Sequence, residues 1–149
     1  MEDGIRPEAM YMGISTILWI VAIKDLVDLT DSNTLLDYGS RKGIQYKTVL
    51  PEDENRVACQ KLQDYWETSE VYCYDPAYPP HQSLPNQQFD GVISTDVLEH
   101  CHQEDMKWII NEIFSLARRF VFANITCYRA SKSLPNGKNA HCTIRPSVW

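Results

Sequence analysis

Short β-rich runs alternate with helical stretches along this chain, and each β-rich run ends in a turn built from glycine or polar residues. Thr34-Leu35-Leu36-Asp37-Tyr38 runs into Gly39, and Val71-Tyr72-Cys73-Tyr74 runs into Asp75-Pro76. Gly91 to Thr95 and Phe120 to Asn124 read as two further strands. Between them, Ser15 to Leu29 reads as an amphipathic helix with Ile14, Ile17, Leu18, Val21 and Leu29 near helical spacing. Ile44 to Leu50 is expected to be a helix closed by Pro51, and another is expected around Val57 to Trp66. Glu104 to Arg119 has Met106, Ile109, Ile110, Ile113 and Leu116 on one face. Residues 76–88 carry four prolines and read as loop. Such alternation predicts an α/β domain with parallel strands and right-handed crossovers. Ligands then bind beyond the carboxyl ends of the strands. Those ends fall in residues 37–43, 75–80, 95–102 and 124–145, where every chemically distinctive motif also falls.

The 149 residues fit one domain, 1–149, able to bury a core without staples. Five widely spaced cysteines with no CxxC pair argue against a disulfide framework or a structural zinc site, so reduced thiols and a cytoplasmic location are expected. The N-terminus lacks the basic region of a signal peptide, and the most apolar run, Ile14 to Ile23, is too short to span a bilayer. No membrane association is expected. The net charge of −6 is unevenly placed: residues 113–149 hold six cations and no acid, while the first 112 hold eight cations and twenty acids.

Three motifs lie at the strand ends. In Leu35-Leu36-Asp37-Tyr38-Gly39-Ser40-Arg41-Lys42-Gly43, a strand entering glycines lets a ligand approach the backbone; a tight turn without a ligand would look the same. Asp75 ends a strand placed to lie beside the first, where an acid can accept hydrogen bonds from a ribose diol. A plain Asp-Pro turn is the other reading. The third motif is Phe89-Asp90-Gly91-Val92-Ile93-Ser94-Thr95-Asp96-Val97-Leu98-Glu99-His100.

In this order the three motifs resemble those of class I S-adenosylmethionine-dependent methyltransferases, over roughly residues 13 to 145. The resemblance implies a Rossmann-like, mostly parallel sheet of about four strands in the order 2-1-3-4. Residues 1–33 would form an N-terminal helical segment, 34–124 the cofactor-binding core, and 125–149 an acceptor-binding loop. Asp37, Tyr38, Gly39 and Gly43 would shape the pocket for the methionine part of S-adenosylmethionine. Asp75 would hold the ribose hydroxyls, with Pro76 and Ala77 near the adenine. Thr95, Asp96 and Val97 would line the pocket floor, with Asp96 facing the cofactor's ammonium. The chain departs from the family pattern in three ways. Arg41 stands where glycine is usual, which is costly if that position needs positive φ and cheap if it does not. Residues 76–88 leave no room for the usual third strand and its helix. The usual C-terminal antiparallel pair is also missing. The exposed sheet edges point to covering loops or a homo-oligomer.

Asp96, Glu99, His100 and the distant His141 form a further constellation. The D-x-x-E-H spacing is similar to the metal motif of small-RNA 2′-O-methyltransferases and ubiquinone-pathway O-methyltransferases, and it admits a divalent ion. The same phrase occurs in methyltransferases without metal, so no resident metal is expected. His100 or His141 is instead expected as a general base, because imidazole changes charge near neutral pH. His81 and His102 read as exposed loop residues. The segment from Asn124 to Pro146, with Tyr128, Arg129, Lys132, Asn139, His141 and Arg145, would lie over the methyl group. Its cations fit an anionic small-molecule or nucleic-acid-end acceptor, or they pair with the acidic first half. The expected activity is methyl transfer to an oxygen or nitrogen nucleophile. The alternatives are a non-catalytic interaction module that keeps the shape, and a lyase acting on S-adenosylmethionine. A dehydrogenase fits less well, since the second glycine of GxGxxG is absent.

Overall fold

A computed structural model describes residues 14–49 and 61–149. The sheet has four strands: β1 (Thr34–Tyr38), β2 (Glu70–Tyr74), β3 (Phe89–Thr95) and β4 (Ala117–Asn124). Their order is β2-β1-β3-β4 and every pairing is parallel. Fold class, strand order and the short β2–β3 connection therefore agree with the sequence reading. The central strands explain why: Leu35, Leu36, Val92 and Ile93 are fully buried, and each such side chain stabilises the fold by about 2 kcal/mol. A strand buried on both faces belongs in the middle of a parallel sheet.

Each face is covered by one helix. On one side α1 (Ile20–Thr30) buries Ile20, Ile23 and Val27 against Leu35, Ile93 and Trp66. The Trp66 indole N–H donates to the Ile20 carbonyl at 2.9 Å, so this large side chain is buried without an orphaned donor. On the other side α3 (Met106–Leu116) buries Met106, Ile109, Ile113 and Leu116 against Leu36, Tyr38, Phe89 and Val92. Between α1 and α3 in sequence, α2 (Leu62–Tyr65) is a single turn. Phe120 crosses the middle of the sheet because Gly91 has no side chain: a Cβ there would lie 2.3 Å from the Phe120 ring.

The sequence reading of the helices needs four corrections. Residues Ile14–Trp19 form a 3-10 helix ahead of α1. Its three-residue turn shifts the phase, so Leu18, Val21 and Leu29 are exposed and the buried face is Ile20, Ile23 and Val27. The helix expected from Ile44 is only a 3-10 turn, Ile44–Tyr46, and Leu50 lies outside the described residues. Of the helix expected around Val57 to Trp66, only Leu62–Tyr65 is seen, and 57–60 lie outside the described residues. The helix expected to reach Arg119 stops at Leu116, and Ala117 switches directly to extended backbone, so Arg118 and Arg119 belong to β4. Among the described residues no helix is long and apolar enough to cross a membrane. Cys73, Cys101, Cys127 and Cys142 are all free.

Candidate functional site

The carboxyl ends of β2, β1 and β3 lie side by side and open into two cavities. The first, of 260 Å³, is walled by Tyr38, Gly39, Asp75, Pro76, Asp96, Val97 and His100, together with Arg41, Cys101, Trp108 and Ile109. The second, of 590 Å³, includes Asp75, Ala77 and His100 with Arg41, Lys42, Tyr78 and Leu134. Arg41, Asp75 and His100 border both, which joins them into one crevice of the size small ligands occupy. Eight of the twelve residues expected at the site thus meet in one crevice. Asp37, Gly43, Thr95 and His141 are not in its walls.

The turn after β1 owes its shape to a glycine, one strained residue and one carboxylate. Gly39 has φ +87°, and a Cβ there would sit 2.4 Å from a methyl of Val97, so only glycine lets the two turns touch. Arg41 has φ 54°, which selects the costly branch of the sequence argument: a left-handed residue other than glycine costs about 1 kcal/mol. Asp75 holds this turn in place. Its Oδ2 accepts from the Arg41 backbone N–H at 2.8 Å and its Oδ1 from the Ala77 N–H at 2.9 Å. The Asp-Pro turn reading is therefore realised, while each carboxylate oxygen keeps a lone pair for a second donor.

His81 was read as an exposed loop residue and is not one. It is part-buried, and its Nδ1 donates to the Arg41 carbonyl at 2.8 Å, while its own carbonyl accepts from the Asp75 N–H. It ties the β2 turn to the β1 turn. His102 is exposed, as expected.

Two acids flank the crevice in different ways. Asp96 has φ 52° and lies in the cavity wall. Its Oδ1 accepts from Asn124 Nδ2 at 2.6 Å and from Thr126 Oγ1 at 3.3 Å, which fastens the β3 turn to the end of β4. Asp37 is buried on the α1 side, where its Oδ2 accepts from Gln45 Nε2 at 3.0 Å and the Tyr46 hydroxyl at 2.7 Å. Burial pushes its carboxyl up to about 6, with the negative Asp75 adding to this and the two hydrogen bonds opposing it. Thr95 turns to the same side and shares a 2.9 Å hydrogen bond with Thr16. Burial also pushes the Cys73 thiol up to about 11 and raises Cys101, so neither is a ready nucleophile.

After β3, Leu98–His100 forms a 3-10 turn. His100 Nδ1 donates to the Ala140 carbonyl at 2.9 Å and His141 Nδ1 to the Tyr128 carbonyl at 2.6 Å. The two rings stand edge to face with centroids 4.9 Å apart. Both Nε2 atoms thus keep a lone pair when the rings are neutral, the form a general base needs. Trp108, which sequence reasoning missed, sits half-exposed at the crevice with its indole N–H on Asp105. The available signal was a large aromatic off the buried Met106-Ile109-Ile113-Leu116 stripe. The basic surplus is not one surface. Arg118 and Arg119 lie within 4.0 Å of Asp90, near the amino ends of the strands, and Arg145 lines a separate cavity with Glu99 and Trp149; the cations that border the larger cavity, Arg41 and Lys42, come from the acidic first part of the chain. No family model, no curated protein and no solved structure matches the chain.

Proposed function

We propose that the chain binds S-adenosylmethionine in this crevice and transfers the methyl group to an oxygen or nitrogen nucleophile. The observation that carries the reading is the meeting of Gly39, Asp75, Asp96 and His100, from three separate turns, around one cavity at the carboxyl edge of the sheet. The cofactor supplies an electrophilic methyl on a sulfonium, and the chain's residues need only align the acceptor and exclude water. Asp75 offers its remaining lone pairs to the ribose hydroxyls. Asp96 puts negative charge beside the ammonium. His100, with Nε2 unprotonated, takes the proton of an acceptor that carries one, and His141 braces its ring. Arg41 and Lys42 in the wall of the larger cavity favour an anionic acceptor.

Three observations favour a second reading, a non-catalytic interaction module. Asp75 already joins two turns, Asp37 is buried with its own donors, and Arg41 occupies a strained glycine position. Calorimetric titration with S-adenosylmethionine, S-adenosylhomocysteine and NAD separates the two. The methyltransferase reading expects micromolar binding of both adenosyl ligands, none of NAD, and loss in Asp75→Asn, which keeps an acceptor for one backbone amide. A folded chain that binds neither adenosyl ligand leaves the interaction module.

A further inference from the structure

Independently of that reading, we propose that the chain holds a second small-molecule site, apart from the crevice, for a protonated amine on an apolar stem. The site is a cavity of 370 Å³, a volume that small ligands occupy. It shares no lining residue with the crevice. Leu98 and Glu99 line it from the turn after β3, whose next residue, His100, lines the crevice. Asn124 and Thr126, which hold Asp96 of the crevice wall, also line this cavity, so the two spaces lie back to back.

The acid of this cavity is Glu99, which is wholly buried. Its Oε1 accepts from the backbone N–H of Thr126, in the same wall, at 3.1 Å. Its Oε2 is buried with no hydrogen-bond partner. The imidazoles of His100 and His141 lie within 4.8 Å of the carboxylate, but their Nδ1 protons go to the Ala140 and Tyr128 carbonyls. Neither supplies the missing donor. A carboxylate oxygen taken out of water and left unpaired is expensive, and a protonated amine returns both a donor and the opposite charge.

The rest of the wall sets the body of the ligand. Leu98, Met106, Ile110 and Ile125 make the lining largely apolar. Ile110, Ile125 and Trp149, also in the wall, are exposed large hydrophobics, so an apolar stem laid against them removes apolar surface from water. The cavity's own cation, Arg145, is exposed, bonded to Gln103 and set 5.8 Å from the Trp149 ring centre. Its charge is held at the rim, away from Glu99 Oε2. An anion of the kind that Arg41 and Lys42 favour in the crevice would here meet a buried carboxylate.

The test titrates the full chain by calorimetry with phenethylamine and hexylamine, and with phenethyl alcohol and phenylacetate as neutral and anionic counterparts. Expected are one equivalent of amine with a Kd below about 1 mM, the alcohol at least about tenfold weaker, and no binding of phenylacetate. Labelled methyl groups of Ile110 and Ile125 shift on binding, while those of Ile20 and Ile23, on the opposite face of the sheet, do not. Glu99→Gln keeps an acceptor for the Thr126 N–H and weakens the amines by about tenfold or more. Ile110→Lys, which adds a like charge to the wall, does the same with circular dichroism unchanged. Asp75→Asn, in the crevice, binds the amines like the parent. No binding of either amine, an alcohol bound as tightly as its amine, or parent-like binding by both Glu99→Gln and Ile110→Lys overturns the proposal, and loss of the amines in a folded Asp75→Asn would place them in the crevice instead.

Discussion

The two ends of the sheet are built on opposite principles. At the amino end Asp90 is saturated. Its Oδ2 accepts from the backbone N–H groups of Asn33 and Thr34 and from the Thr34 hydroxyl, and its Oδ1 faces Arg119 at 3.6 Å. Burial pushes the Asp90 carboxyl up, but these donors and the Arg119 charge outweigh it and hold it below the usual range. The positive-φ residues at this end, Asp31 and Glu67, are helix caps whose N–H groups bond back to Asp28 and Asp64. At the carboxyl end positive φ falls in the strand-following turns, at Gly39, Arg41, Gly43 and Asp96. There too lie the raised Asp37 and the unpartnered oxygen of Glu99. Strain and unsatisfied polarity gather where an open parallel sheet receives ligands, and stability is supplied from the other end.

Breaking the amino end should have the largest effect. Asp90→Ala leaves three donors without their acceptor and is expected to cost about 3 kcal/mol, read by thermal or urea melting. In the parent, the stability owed to Asp90 is present above the ordinary carboxylate range and lost as pH falls through its lowered value, and the variant should lack that acid sensitivity. A parent-like melt would show that this end is no anchor. The carboxyl end should respond in the opposite direction. Asp37 binds its proton more tightly folded than unfolded, so its contribution is full below about 4 and is lost as pH rises through about 6. Asp37→Asn keeps an acceptor for Gln45 and Tyr46 and should gain about 2 kcal/mol at pH 7, with a flatter profile between pH 4 and 7. A less stable variant would show that the chain uses the negative charge. Arg41→Gly should give the smallest change, a gain of up to about 1 kcal/mol from relief of the left-handed backbone. A loss on melting would mean that the side chain's own contacts exceed the strain.

The sequence disclosed the sheet far better than it disclosed the helices. Strand runs are short, β-rich and bounded by turn residues, so β1 to β4 could be read directly, while their order came from the family resemblance. Phase was harder: six residues of 3-10 helix ahead of α1 rotated its buried face away from Val21 and Leu29. Arg118 and Arg119 suit the end of a helix, and nothing local shows that the chain becomes strand at Ala117. At the site, the glycine and acid positions were legible because turn chemistry is local. The partners were not. Gln45 and Tyr46 reach Asp37 only because 44–46 is a 3-10 turn and not a longer helix. The shortest links of His81, His100 and His141 go to backbone carbonyls, which no side-chain pattern records. Glu99 was seen as part of a motif, but its complete burial depends on Thr126 and the segment beyond.

The contact between Thr143 and the Glu99 turn also separates the scaffold from the site along the chain. All four strands precede Ile125, whereas His141 and Thr143 come from the segment that follows them. The Thr143 N–H on the Glu99 carbonyl pins that segment to the turn after β3, and His141 stands beside His100 only because of where the segment lies. The sheet thus supplies the shape, and the residues beyond it complete the group of Glu99, His100 and His141.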